Sequence, residues 1–405
     1  MAPKPKVPFA LHRALRLRAS VDVAQGVAVA LSPDGAHALA LRGEWTDRRV
    51  DLVALADGSV AGTFTPPPEC ALEGVAWSRD GRRWAAVGQR FEGDTRVGLV
   101  FVGDREGLAL TTSAKLSRYG AVSRNALARV APPVVFAPDG DIVVVRIAGV
   151  DDRSAIAHVS REGVREQWLP AGECDLYALA FGDDGALYTA TGDAGDVGGT
   201  AWYAPGADAP RGRAVWAAGC ALVPGRRGVW VVGMPKYAWR VAPGASTPLA
   251  HAKQSRLDRA RVLRARAKGR WDEGYLDDLI ARIEADLDRV TYHTDYDSVR
   301  VCEGVEPVDG ARCFEHEMLW ETSYADRFGD DDAIVSDGVA VALWRDDGAA
   351  ITRTLLADDV QRATHRTARI AGLSTAGDTL ALLWKRDARG AATALSLFDV
   401  DRAAL

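Results

Sequence analysis

Apolar and polar positions along this chain fall into a recurring unit. A short apolar run such as "GVAW" or "LYALAF" leads into a tight polar turn, and a second apolar run follows, as in "LSPDGAHALAL" from Leu31, "WSRDGRRWAAV" from Trp77 and "FAPDGDIVVV" from Phe136. A third run, such as "RVGLVFV" or "TALSLFDV", closes the unit. Alternating or continuous apolar residues bounded by turn signals predict antiparallel hairpins. Asp-Gly suits the turn because glycine accepts positive φ without steric cost and aspartate can bond its own backbone.

Aligned on their turn glycines, the units sit at Gly35, Gly81, Gly140, Gly185, Gly228, Gly338 and Gly377. Spacings of 46, 45, 43 and 39 residues recur, with one stretched to 59 and one to 110. A period in the forties with several short strands per unit is the signature of propeller blades. Seven turns predict an all-β, seven-bladed β-propeller. "RALRLRASVDV" ahead of the first unit reads as one more strand, while the last unit ends at "LSLFDVDRAAL" with no fourth strand. The N-terminal strand is therefore predicted to complete the last blade and close the ring, removing exposed sheet edges.

These phrases resemble those of WD40-like propellers and their bacterial relatives. "SPDG", "SRDG" and "APDG" occupy the first hairpin of a blade, and "VDLVALADGSV" and "SLFDVDRA" stand where that family often ends its third strand with Trp-Asp. The resemblance implies the fold over about three quarters of the chain and is nearly silent on function, because one fold hosts many activities. No unit carries the full Gly-His and Trp-Asp pair, so the family's hydrogen-bonded tetrad is not implied.

Two interruptions break the rhythm. "SRYGAVSRNALARVAPP", Ser117 to Pro133, is an extended connection between the second and third blades. The longer one begins with a stretch of helical composition in which Leu276, Leu279 or Ile280, Ile283, Leu287 and Val290 form an apolar stripe, predicting a helical hairpin inserted in the propeller. The expected organisation is blades one to five at residues 13–251, an insertion with the hairpin and an irregular segment at 252–330, and blades six and seven at 331–405. From Lys253 to Arg270 the hairpin holds eight basic residues against one acidic; from Trp271 to Val290 it holds seven acidic against two basic. Either the two helices neutralise each other, or Arg256, Arg259, Arg264 and Arg270, with Trp271 for stacking, meet an acidic protein or RNA.

Composition narrows the function. At 48% hydrophobic and 26% charged, the 405-residue chain is an ordinary globular protein. A net charge of -5 argues against a general nucleic-acid binder, which needs excess Lys and Arg to displace counterions from phosphate. Only seven of the 50 basic residues are Lys, which points to a G+C-rich, bacterial source. No apolar run has the length of a secretory signal or membrane span, and five cysteines do not make a disulfide framework, so a cytoplasmic location is expected.

No catalytic motif is complete. "CFEHEMLWE" contains His316-Glu317 but lacks the second His of a metalloprotease helix, and "GLSTAG" has one residue too many for a nucleophile elbow at Ser374. Cys302, Cys313, His293 and His316 have the residue types of a zinc site but no compact zinc spacing, and the sequence does not decide whether they converge. Cys70, Cys174 and Cys220 recur where the first strand of three blades begins; a small residue at a crowded position accounts for them more simply than a ring of reactive thiols. No cofactor is expected.

The reading that follows is a non-catalytic protein-interaction scaffold, a subunit of a bacterial multiprotein complex. The connections "GEWTDRR", "GQRFEGDTR", "AGVDDR", "MPKYAW" and "RDDG", on the face opposite the Asp-Gly hairpins, are rich in Arg, Asp and aromatics, with Trp45, Phe91 and Tyr237 as candidate anchors. The alternatives are a propeller hydrolase or lactonase with a metal in the central channel, and RNA or acidic-partner binding through the Arg-rich helix. Expected partners are one or more proteins, with nucleic acid the weaker choice and no membrane.

Overall fold

The computed structural model describes residues 7–116, 134–150, 153–169, 176–191, 199–214, 221–226, 228–233, 237–241, 324–336, 340–346, 351–359, 369–385 and 392–405, with residues 261, 264, 274, 277, 280 and 281. Its strands form antiparallel sheets in chain order. Sheet 1 is Gly26–Leu31, His37–Arg42, Arg49–Ala54 and Val60–Phe64; sheet 2 is Ala71–Trp77, Arg83–Glu92, Thr95–Asp104 and Leu110–Lys115. Sheet 3 is Val134–Phe136, Val143–Val150, Arg153–Ser160 and Gly163–Trp168; sheet 4 is Leu176–Phe181, Leu187–Thr191, Gly199–Tyr203 and Gly212–Ala214. Sheet 5 is Ala221–Gly225, Gly228–Gly233 and Tyr237–Val241. Sheet 6 runs Tyr324–Phe328, Asp332–Ser336, Ala340–Asp346 and Ile351–Asp359, and sheet 7 runs Arg369–Ala376, Thr379–Lys385 and Ala392–Val400.

The N-terminus completes the last two sheets. Leu15–Ala24 pairs along Ala392–Val400, from Leu15 opposite Val400 to Ala24 opposite Ala392, so the first long strand is the fourth strand of sheet 7. Just before it, Phe9–Leu11 adds a fifth strand to sheet 6, with Phe9 opposite Asp359. The chain is a β-propeller.

Burial explains the strand composition. The inner strands lie between neighbouring sheets and are covered on both faces, so they read as continuous apolar runs; in Thr379–Lys385 every residue but the last is buried. Outermost strands touch protein on one side only, and Leu110–Lys115 has no fully buried residue. Apolar clusters fill the spaces between sheets: Leu39, Leu41, Leu72 and Trp84 between sheets 1 and 2, and Val144, Ile156, Leu179 and Leu187 between sheets 3 and 4. A register shift recurs near the start of the first strand in sheets 1, 2, 4 and 7, so the repeat extends to backbone detail.

The hairpin glycines behave as the turn chemistry requires. Gly35, Gly81, Gly140, Gly185 and Gly377 have φ of 65°, 68°, 73°, 78° and 56°. Three expectations are corrected. First, the first hairpin of sheet 6 turns at Gly329, φ 74°, not at Gly338, which falls in sequence between the second and third strands. "FGDDDA" has no apolar run before it as long as those of the other units, and "VSDG" imitates the motif one strand later. The same shift puts "RDDG" at the end of the third strand of sheet 6, where Arg345 and Asp346 still belong to the strand, and not before it. Tyr324–Phe328 also lies inside the span assigned to the insertion.

Second, seven complete blades are not shown: among the described residues six sheets have four or more strands, and sheet 5 has three. The stretch after Val241, where its fourth strand would stand, is outside the described residues. Third, the helical hairpin is not shown. The described elements include no α-helix, only 3-10 turns at Glu106–Leu108 and Arg402–Ala404. Six described residues from 261 to 281 have helical backbone, too few to define paired helices. The apolar stripe that predicted the hairpin is local information; whether such a stripe is covered depends on contacts that a stripe does not encode. The connection at 117–133 and the residues Cys174, Cys220, Cys302, Cys313, His293 and His316 also lie outside the described residues.

Candidate protein-interaction face

The connection Gly43 to Arg49 joins the second and third strands of sheet 1 on the face opposite the Asp-Gly hairpins. Its backbone is tightly folded. Gly43 has φ 111°, and a Cβ there would lie 2.4 Å from the Asp47 carbonyl oxygen. Gly43 donates its N–H to the carbonyl of Gln25 at 3.1 Å; Gln25 itself has φ 53°, and its amide donates to Glu44 Oε1 at 3.2 Å. On this frame Trp45 is 47% exposed.

An indole that open to water costs free energy unless something uses its surface. Arg48 uses one face: its guanidinium carbon stands 4.6 Å from the ring centroid. The same side chain donates from Nη1 to the carbonyl of Leu72 at 2.8 Å, at the start of sheet 2. Arg48 thus ties the loop of one sheet to the first strand of the next and holds the indole by a cation–π contact. The other side of the ring faces outward with its orientation already set, which lowers the ordering cost of binding.

Polar side chains of sheet 2 are bonded to one another, the buried Gln89 among them. Gln89 donates to Glu73 at 2.7 Å, and Glu92 accepts from Arg90 at 2.6 Å and from Lys115. The hydrogen bond from Lys115, then that from Arg90, hold the Glu92 carboxyl below its ordinary range. Cys70 lies buried under this face, and burial pushes its thiol up to about 11, so it is a packing residue and a poor nucleophile.

Of the other sequence candidates, Phe91 is the next-to-last residue of the strand Arg83–Glu92 and Tyr237 begins Tyr237–Val241, but their side chains lie outside the described residues, as do Arg256, Arg259, Arg270 and Trp271. Arg264 is described. It forms a two-pronged pair with Asp277, Nη2 to Oδ2 at 2.9 Å, and that hydrogen bond lowers the Asp277 carboxyl. At this pair the basic and acidic halves of the segment meet each other.

The hairpin face is organised differently. In the turn of sheet 1, Ser32 Oγ donates to Asp34 Oδ1 at 2.6 Å and the Ala36 N–H donates to the same oxygen at 3.0 Å; Ser78 and Asp80 repeat this in sheet 2. The aspartates are turn residues. Asp34 Oδ2 also accepts Arg105 Nη1 at 2.6 Å, and Arg105 contacts His37 Nδ1. Burial opposes ionisation of Asp34, yet bonds from Ser32, Ala36 and Arg105 outweigh it and hold the carboxyl below its usual range. Burial and then the Arg105 charge push His37 down.

Nearer the ring's axis, Asp183 of the sheet 4 hairpin accepts Arg327 of sheet 6 at 2.8 and 2.9 Å and Arg79 of sheet 2 at 3.2 Å. Residues of three non-adjacent sheets meet there, so the hairpins converge on the axis. Asp326 was not anticipated. Its Oδ2 accepts the Thr375 N–H at 2.7 Å and the Ser374 hydroxyl at 3.1 Å, and Ser374 Oγ accepts the Leu31 N–H at 3.0 Å. This chain of bonds stitches sheets 6, 7 and 1 and gives Ser374 a structural role. Its signal was too faint to read: an Asp and a Ser 48 residues apart in sequence have no shared motif. Among the described residues no group of three or more His, Cys, Asp or Glu is arranged to hold a metal ion, and no helix is long and apolar enough to cross a membrane.

The solved structures similar to this chain are WD40 β-propeller proteins. The structure of U3-55K aligns with a TM-score of 0.57 at 11% identity, over 96% of this chain and 100% of that one. A chain of the mitotic checkpoint complex aligns with a TM-score of 0.54 at 14% identity, over 99% and 96%. The Cps50 (Swd1) β-propeller domain of Myceliophteria thermophila gives 0.49 at 10% identity, over 93% and 99%. At such identities the likeness is one of fold. No protein-family model matches the chain, and no curated protein matches it significantly.

Proposed function

We propose that this protein is a non-catalytic interaction scaffold, a seven-bladed propeller in which sheet 5 is the seventh blade, working as a subunit of a bacterial, cytoplasmic multiprotein complex. In this reading the ring is built from residues 13–251 and 324–405, and the stretch 252–323 is an insertion. A partner protein docks on the loop face, with Trp45 as anchor and Phe91 and Tyr237 as further contacts.

The observation that carries this is Trp45: a large aromatic, 47% exposed, fixed by Arg48 across a seam between sheets. Interfaces concentrate their energy in such rigid aromatic and Arg residues. On the hairpin face Asp183 is engaged with Arg327, and Asp34 with Arg105 and the Ala36 amide, which supports the same reading from the other side. A WD40 propeller within the mitotic checkpoint complex is a precedent for assembly on this fold.

The test is quantitative affinity capture from the source organism with wild-type protein, Trp45→Ala and Val60→Ser, the last an exposed position on an outer strand. Trp45→Ala should lose at least one partner about 10-fold or more, the cost of a single anchor of about 1.4 kcal/mol or above, while Val60→Ser and the melting temperature stay unchanged. Identical partner recovery in all three would overturn the assignment of the anchor.

A further inference from the structure

A second surface, separate from the loop face, lies between sheets 3 and 4. A groove of about 600 Å³ opens on the hairpin side of this seam, the size of sites that hold a small ligand. Strand alternation decides which side chains reach it. In Arg153–Ser160, Ala155, Ala157 and Val159 join the core cluster shared with sheet 2, so Ile156 and His158 point the other way, toward sheet 4. Gln167 pairs opposite Ile156 and Arg165 opposite His158, so both share that face. The floor is apolar and partly aromatic: Ile142 of sheet 3 with Phe181, Leu187 and Tyr203 of sheet 4. The walls are turns, at 138–139 and around Glu162 in sheet 3 and at 204–207 in sheet 4.

One hydrogen-bond network sets the chemistry of this groove. The buried Gln167 donates from Nε2 to the Asp208 carbonyl at 3.0 Å. A carbonyl only accepts, so the amide nitrogen must face Asp208 and the amide oxygen must face His158, where Oε1 stands 3.2 Å from Nε2. That oxygen also only accepts, so His158 Nε2 carries a proton. Burial outweighs the Gln167 bond and pushes His158 below its ordinary range, so the ring is neutral at pH 7 and Nδ1 keeps a bare lone pair. Nδ1 has no hydrogen-bond partner among the described residues and is not one of the buried atoms left without one, so it stays open to solvent. The groove therefore presents one acceptor, its direction fixed from both sheets, above an apolar floor.

The rim adds a charge preference. Asp139 and Glu162 both line the groove and are exposed. Asp139 accepts the Asp141 N–H at 2.9 Å and Glu162 accepts the Ser160 hydroxyl at 3.1 Å, and neither has an ion-pair partner among the described residues. Arg165 also lines the groove but is paired with Asp208. Arg161, next to Glu162, does not line it.

We infer that the groove between sheets 3 and 4 binds a small aromatic molecule that carries a ring N–H or hydroxyl donor and a neutral or cationic substituent. The ring lies on Phe181, Leu187 and Tyr203, its donor bonds His158 Nδ1, and a cationic substituent points toward Asp139 and Glu162. Aromatic surfaces on the floor favour a flat ring. A ligand without a donor leaves Nδ1 dehydrated and unpaired, which costs affinity, and an acidic substituent meets the like charge of the rim. The turns that wall the groove suit a compact molecule. The site is independent of Trp45: the two lie on opposite faces.

The probes are indole, 1-methylindole, tryptamine and indole-3-acetate, titrated onto the full chain by calorimetry and by NMR of protein carrying 15N-labelled histidine. Free His158 should show an unprotonated Nδ1 whose signal moves with indole and not with 1-methylindole, which has no N–H. Indole should bind about 5-fold or more tightly than 1-methylindole, and tryptamine about 5-fold or more tightly than indole-3-acetate, each a difference of one polar contact. His158→Phe, which keeps a ring, should abolish the first preference. Asp139→Asn combined with Glu162→Gln, at exposed positions where the melting temperature should match wild type, should abolish the second, and Trp45→Ala should change neither. The inference is overturned if none of the four binds, if 1-methylindole matches indole on wild type, if indole-3-acetate matches tryptamine, or if His158→Phe keeps the indole preference. The wild-type comparisons decide by themselves if His158→Phe is unstable. A hexapeptide with one central Trp that binds 10-fold more tightly than tryptamine would make the occupant a partner segment and overturn the small-molecule reading.

Discussion

Removing the ring of Phe9 tests how the N-terminus holds the propeller. Phe9 is 5% exposed, meets Trp384 edge-on with centroids 5.8 Å apart and planes at 81°, and packs in a cluster with Leu356 and Ala357. Its strand pairs through only three residues, with Ala357, Asp358 and Asp359, helped by the His12 N–H donating to the Leu356 carbonyl at 2.7 Å. Truncating a buried Phe to Ala costs about 3–5 kcal/mol, of which about 0.5–1.5 belongs to the edge-to-face pair. Three backbone pairs do not compensate for that loss, so in Phe9→Ala the strap opens locally while Leu15–Ala24 stays in its much longer ladder with Ala392–Val400. A loss of about 3 kcal/mol is more than a 100-fold change in the opening equilibrium. Hydrogen exchange read by mass spectrometry should show the amides of Phe9–Leu11 and His12 exchanging at least 100-fold faster, with Leu15–Ala24 within about threefold of wild type. Strap exchange that stays within threefold, or equal deprotection of Leu15–Ala24, would refute a local latch held by Phe9.

Two further outcomes follow from the charged and buried groups. In wild type, burial and the Arg105 charge keep His37 below its ordinary value of about 6.5, so the unfolded chain takes up that proton first and stability declines as pH falls from about 6.5 through the lower folded value. Arg105→Ala leaves Asp34 beside the ring, so the His37 titration followed by NMR should move up and this part of the acid decline should shrink; a downward move would contradict the assignment. Cys70, with its thiol pushed up to about 11, should resist alkylation in the folded protein at pH 8 and react only on denaturation; peptide mapping that finds it labelled as fast as a free thiol would show that its site opens.

Much of the fold was legible in the chain because its signals are local. The Asp-Gly hairpins at Gly35, Gly81, Gly140 and Gly185 need positive φ at one residue and a short polar side chain before it, and both are written in adjacent positions. The continuous apolar runs report burial on both faces, and the missing fourth strand after Ala392–Val400 pointed to the N-terminal strand as its partner. Trp45 was legible as an aromatic in a polar loop. Where an imitation of the motif appeared, as at Gly338, the same local reading misplaced the hairpin by one strand, because nothing nearby distinguishes a turn before the second strand from a turn after it.

Other features depend on residues far apart in sequence that only the closed ring brings together. Asp183 meets Arg79 and Arg327 across the axis, Asp326 reaches Ser374 and through it Leu31, Phe9 finds the edge of Ile351–Asp359, and Arg48 spans from the Trp45 ring to Leu72. None of these pairs has a spacing that marks it. The groove between sheets 3 and 4 is likewise a property of the seam: its lining comes from separate strands of both sheets. The amino-acid sequence by itself determined the repeat, the turns and the strand faces, since period, φ preference and hydropathy act over a few residues. Only the tertiary structure decided which charges neutralise one another and which surfaces stay open, because those depend on through-space distances set by ring closure.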